Sequence, residues 1–192
     1  MTKTIMFSQD CLILDACCII NLYASGVMDT ILRSITTSIA VAAYVRNKEA
    51  LTIACESPGN TASQREAIAL QPLITSGLLR VVAPETEEEL STLVNFAVHL
   101  DDGEAITGAI AFHRNWSIAS DDGKALRFFG QHAPHIQLVT TPELIKHWVD
   151  TIHPPADVIR AALRNVRIRA RYEPHRTHML YDWWQKCRQN DE

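Results

Sequence analysis

Short apolar runs that end on or just before an acidic residue, set between stretches of helical periodicity, constrain this chain more than any other feature. Residues 12–16 form one such run and hold Asp15; residues 117–120 form another, followed at once by Asp121 and Asp122. Residues 39–42, 79–82 and 137–140 are three more strand-length apolar segments. Runs of four or five apolar residues without polar alternation suit strands buried on both faces, as in a parallel sheet. Between them the periodicity predicts helices over 18–24, 27–35, 43–51, 64–73, 90–100, 103–113, 123–132 and 141–150. Thr86 and Glu89 have capping-box spacing ahead of residues 90–100, and Thr141 with Pro142 opens the last of these helices. Residues 56–63, with Pro58, Gly59 and Asn60, read as a loop. Strands alternating with helices predict the α/β class: a three-layer α/β/α arrangement around a central parallel sheet.

A chain of 192 residues, 47% of them apolar, supports one domain with room for an appendage. His153-Pro154-Pro155 is the best boundary, dividing 1–152 from a helical C-terminal extension over 153–192. Charge divides there too. Residues 1–155 carry 10 Lys or Arg against 17 Asp or Glu, whereas residues 156–192 carry 8 against 5. No signal-peptide pattern and no apolar run near 18 residues is present, so a soluble protein away from membranes is expected. Five cysteines, with no C-x-x-C pair, support neither a disulfide framework nor a zinc site. They read as small buried hydrophobes in a reducing cytoplasm.

Carboxylates gathered from separate strand ends repel one another unless a cation lies between them, and a divalent metal with oxygen ligands is the usual answer. In a parallel sheet such side chains meet at the carboxyl edge. Asp15 and Asp121 follow predicted strands, and Glu104 begins a helix after Asp101-Asp102-Gly103. Each has a plainer use: Asp15, Asp121 and Asp122 as helix N-caps, Glu104 as a partner for a helix dipole, Glu49 as part of a solvated face. The functional expectation therefore rests on the group.

Four segments together resemble the PIN-domain family: LILDACCIINLYASG (12–26), VRNKEAL (45–51), LDDGEAITGAIA (100–111) and SIASDDGKALRFF (117–129). The similarity spans roughly residues 11–150. The stretch 72–82, the acidic helix after it and DDGEA resemble the VapC-like toxin branch. The resemblance implies an endoribonuclease dependent on Mg²⁺ or Mn²⁺, the toxin of a type II toxin–antitoxin pair. It would have an RNA substrate, a cognate antitoxin as partner and a tendency to form homodimers. A metal-activated water would cut the phosphodiester without a covalent intermediate. Asp15, Glu104 and Asp121 match the metal-binding acids, Asp122 an added ligand, and Asp101 and Asp102 neighbours of that shell. Glu49 matches the assisting acid, although Lys48 competes for that position; the local Glu49-Ala-Leu favours Glu49. Asn21 and Ser120 match polar residues that orient Asp15 or meet the substrate. The alternative is a weak or inactive PIN-like module that binds RNA or a protein.

Arg160, Arg164, Arg167 and Arg171 fall at spacings of four, three and four, which places them on one face of a helix over 156–171. That face suits RNA phosphates, and Tyr181, Trp183 and Trp184, in a last helix over 177–187, suit base stacking. The competing readings are a solvated face with core-packing aromatics, and a surface for an acidic partner or a second copy. No metal-binding histidine spacing, phosphate-cradling glycine loop or G-x-S-x-G elbow is present.

Overall fold

The buried apolar runs become strands. The computed structural model describes residues 5–50, 52–54 and 65–189; the expected loop over 56–63 lies outside them. Among the described residues the strands are β1 (Cys11–Leu14), β2 (Ser38–Ala42), β3 (Thr52–Ala54), β4 (Arg65–Ala67), β5 (Arg80–Val82), β6 (Ser117–Ala119) and β7 (Leu138–Val139). Five of them form a parallel sheet in the order β5-β2-β1-β6-β7, and β3 pairs antiparallel with β4. β1 is central, with Leu12 facing Ile39 on β2 and Ser117 on β6. All four of its residues are buried, as a strand covered on both faces must be.

The helices are α1 (Ala16–Ala24), α2 (Met28–Ser34), α3 (Gln71–Thr75), α4 (Glu87–Ala97), α5 (Asp102–Arg114), α6 (Gly123–His132), α7 (Thr141–Ile152), α8 (Ala156–Asn165) and α9 (Tyr181–Gln189). α1, α2 and α7 pack together, and α5 packs on β1, β2 and β6 with α4 outside it. Phe96 of α4 meets Phe112 of α5 and Phe128 and Phe129 of α6 edge-on. The outcome is the expected three-layer α/β/α fold. No helix among the described residues is long and apolar enough to cross a membrane.

Three helices differ from expectation. Within 64–73, residues 65–67 are strand β4, and helix begins only at Gln71. Pro72 supplies the reason, because proline suits a first helical turn and disfavours helix before it. Residues 45–49 form a π-helical turn, closed by the Ala50 N–H on the Val45 carbonyl at 2.9 Å. α8 likewise gives way to a π-helical turn over Val166–Ala170, which Arg171 ends with φ 55°.

The C-terminal extension is not a separate body. Leu163, Val166 and Trp184 are wholly buried and belong to the same core as Leu12 and Ile19. The joint at His153, where φ is 53°, divides helices rather than cores.

Candidate metal centre

The strand order places the site. From β1 the chain builds outward through β2 and β5 on one side, and through β6 and β7 on the other. The carboxyl ends of β1 and β6 therefore flank the point where the order reverses, where open α/β sheets hold ligands. Asp15 leaves β1 there, and Ser120-Asp121-Asp122 leave β6. The Asp15 N–H donates to the Ala119 carbonyl at 3.0 Å and joins the two exits.

Asp15 is only 4% exposed. Its Oδ1 accepts the Ala16 N–H at 2.7 Å as the N-cap of α1, and its Oδ2 accepts the Ser120 hydroxyl at 2.9 Å. The Cys17 thiol donates to the same Oδ2 at 3.2 Å. Burial nevertheless raises the Asp15 carboxyl above its usual range, and the Asp101 charge adds to the rise. Ser120 also accepts the Asp122 N–H at 3.2 Å, so one buried hydroxyl ties two acids together. The hydroxyl expected to orient Asp15 or meet the substrate thus holds Asp15. Asp122 caps α6 through Oδ1, which accepts from Lys124 N at 2.7 Å and Ala125 N at 2.9 Å.

The π-helical turn after β2 delivers Glu49, while Lys48 is exposed. The Glu49 carboxylate accepts the backbone N–H of Gly103 and so sits on the positive N-terminus of α5. Burial raises its pKa, with Asp15 and Asp101 next among the causes. Glu104, one residue into the same turn, shares a hydrogen bond with Asp101 and is pushed up to about 8. Burial is the largest cause, followed by Asp101, Asp122 and Asp15. A side chain at Gly103 would overlap the Glu49 carboxylate. Gly103→Ala should therefore displace Glu49 and weaken divalent-cation affinity roughly 10–100-fold, as losses of supporting contacts do. The fold should survive, since Ala favours helix over Gly by about 1 kcal/mol. A thermal-shift titration with Mg²⁺ reads this directly; an unchanged midpoint would remove Glu49 from the centre.

Asp121 goes elsewhere. Its Oδ1 accepts the Thr141 N–H at 2.9 Å and the Tyr172 hydroxyl at 2.8 Å. Its Oδ2 accepts Asn21 Nδ2 at 2.8 Å, the Thr141 hydroxyl and the Cys18 thiol at 3.4 Å. Five donors from α1, α7 and the C-terminal extension commit this carboxylate to a structural knot. Of the two expected ligands Asp121 and Asp122, Asp121 is taken up by this network, whereas the charge of Asp122 couples to Glu104. Asn21, 4% exposed and expected to orient Asp15 or meet the substrate, donates to Asp121. Asp121→Asn should cost about 1–3 kcal/mol, because an amide nitrogen must then face donors. Asp122→Asn should leave stability within about 0.5 kcal/mol, because Asn caps a helix as well as Asp, and should lower cation affinity. Urea denaturation and cation titration of both variants separate the roles; the reverse pattern would restore Asp121 as the ligand.

No protein-family model matches the chain, and searches of curated proteins and of solved structures return no significant match.

Cys17 and Cys18, expected only to pack, take part in this polar network. Cys17 Sγ accepts the Asp121 N–H at 3.1 Å. Among the described residues, Cys17, Cys18 and Asp121 are the one group offering three ligand atoms within 4.8 Å of one another. Those atoms are already engaged with internal partners. The carboxylate oxygens of Asp15, Glu104 and Asp122 stand wider apart, as mutually repelling groups do. No salt bridge among the described residues joins Asp15, Glu49, Asp101, Asp102, Glu104 or Asp122 to Lys or Arg. Among the described residues these carboxylates therefore have no ion-pair partner from Lys or Arg, and oxygen donors of this kind suit a hard divalent cation.

The extension also departs from expectation. The π-helical turn adds a residue to the helical repeat and rotates Arg171 away from Arg160, Arg164 and Arg167. Trp184 is buried edge-on to Tyr172, and Trp183 lies under the Lys146 ammonium at 5.6 Å. Trp184 is thereby closed to base stacking, while Trp183 and Tyr181 are half-buried.

Proposed function

We propose that this protein is a metal-dependent endoribonuclease of the PIN-domain kind. What supports the reading is that Asp15, Asp122, Asp101, Glu104 and Glu49, from four stretches of the chain, lie near enough at the reversal point of the sheet for their charges to act on one another. Asp15, Glu104 and Asp122 would hold the cation, with Asp101 beside them and Glu49 bracing the turn that carries Glu104. When bound, a divalent cation supplies a water acidified for attack and neutralises charge on the phosphate oxygens. The chain's own contribution is positional. Ser120 fixes the orientation of Asp15 and the backbone of Asp122, and burial keeps Asp15 from turning to solvent. Without the cation, a proton kept on Glu104 and donated in a hydrogen bond to Asp101 would relieve part of the repulsion.

The test is a digest of single-stranded RNA and single-stranded DNA by the full chain, with Mg²⁺ or Mn²⁺ and with EDTA. RNA cleavage that needs the metal is the expected result. Equal cleavage in EDTA would exclude the mechanism, and preferential cutting of DNA would move the substrate class. A second reading, a non-catalytic cation-binding module, is favoured by the wide spacing of the acids and by the full commitment of Asp121. It predicts stabilisation by Mg²⁺ with no cleavage of either polymer.

A further inference from the structure

We infer that the groove between α8 and α9 is a binding track for the phosphate backbone of a single-stranded RNA, remote in role from the bond that is cut. A cavity of about 650 Å³ is lined by Arg160, Arg164 and Arg167 from one side and Arg188 from the other, with Asp157 at its edge. α9 thus supplies the fourth guanidinium in place of Arg171. Glu173 holds two of the four: Arg167 Nε lies 3.6 Å from its carboxylate, and Arg188 pairs with the same oxygen. Four arginines thus line the groove beside a single lining acid, Asp157, and Glu173 competes with any incoming anion for two of them.

Three features select an extended phosphate chain. The volume exceeds what one phosphate fills, and the four planar guanidinium forks suit phosphate oxygens. No aromatic ring is among the residues that line the groove, and the two tryptophans of α9 pack elsewhere, so the groove reads backbone and not bases. The acidic body repels a polyanion, so the basic extension is where such a strand first gains hold. The choice of RNA over other polyphosphates rests on the proposed ribonuclease reading.

The test measures binding of a fluorescent single-stranded RNA to the full chain carrying Asp15→Asn, in EDTA, across a salt series. Failure of the nuclease reading leaves this readout intact. Arg164→Ala combined with Arg188→Ala should flatten the slope of log affinity against log salt by about 1.4, from about 0.7 per lost contact on a single strand. Glu173→Gln should tighten binding, because it removes the carboxylate that competes for Arg167 and Arg188; a merely damaged fold would not. Arg33→Ala, whose guanidinium pairs with Asp29 on α2, should change nothing. Parental affinity and slope in both groove variants would overturn the proposal. So would polyglutamate binding more tightly than RNA, which would assign the groove to an acidic protein segment.

Discussion

Asp15→Asn should lower metal-dependent RNA cleavage at least about a hundredfold while the protein melts at or above the parental temperature. Losing one well-placed electrostatic contributor costs enzymes roughly two to three orders of magnitude. Asp15 is the acid most deeply set in the cluster, and its Oδ2 is fixed by Ser120 at 2.9 Å. Stability should hold for two reasons. Asn retains a side-chain oxygen for the Ala16 N–H, and Asn and Asp cap helices about equally well. The substitution also removes a buried charge that sits among like charges. Initial rates on RNA, beside a melting curve, decide the matter. Activity within about tenfold of the parent would take Asp15 out of the chemistry.

A second large effect is expected from the cation itself, and its pH dependence has a definite sign. Glu104, pushed up to about 8, keeps its proton in the folded state where the unfolded chain has lost it. The folded state then binds more protons than the unfolded one, so stability falls as pH rises from the ordinary carboxylate range towards 8, and the full penalty applies above 8. The raised carboxyls of Asp15 and Glu49 act in the same direction. In EDTA the melting temperature should decline from about pH 5 to pH 8. Mg²⁺ at a hundred times its dissociation constant contributes about 2.7 kcal/mol, or about 5–11 °C for a chain of this size. The gain should be larger at pH 8 than at pH 5, where protons compete for the same oxygens. A Mg²⁺ shift that is absent, or equal at both pH values, would remove the metal centre.

The layered fold was legible because burial on both faces writes itself into continuous apolar runs, and all five runs became strands of the sheet. The short antiparallel pair was not, since Arg65–Ala67 has no apolar pattern and takes its conformation from its partner. Within the site, Asp15, Glu49 and Glu104 were readable as acids beside predicted element ends. Asp121 and Asp122 were both readable as acids after a strand, and coordinates separate them for a geometric reason. Successive side chains on extended backbone point to opposite sides, so Ser120 and Asp122 face the cleft together and Asp121 faces α7. The signal for Asp122 was its place before Gly123-Lys124-Ala125, where an N-cap aims a carboxylate along the helix start. The π-helical turns carry no pattern in a single sequence. The exchange of Arg171 for Arg188 and the placing of Glu49 on Gly103 therefore needed coordinates.

The hydroxyl of Tyr172 makes the tail a keystone for the acidic cleft at the end of β6. It reaches Asp121 across 51 positions of sequence, and Asp121 is peptide-bonded to the acid that faces Glu104. Trimming the polypeptide at His153 would leave Asp121 short of a donor and strip Leu163, Val166 and Trp184 from the core. The smallest working unit of this protein therefore extends at least to Trp184, and tags or fusions belong beyond α9 rather than in its place.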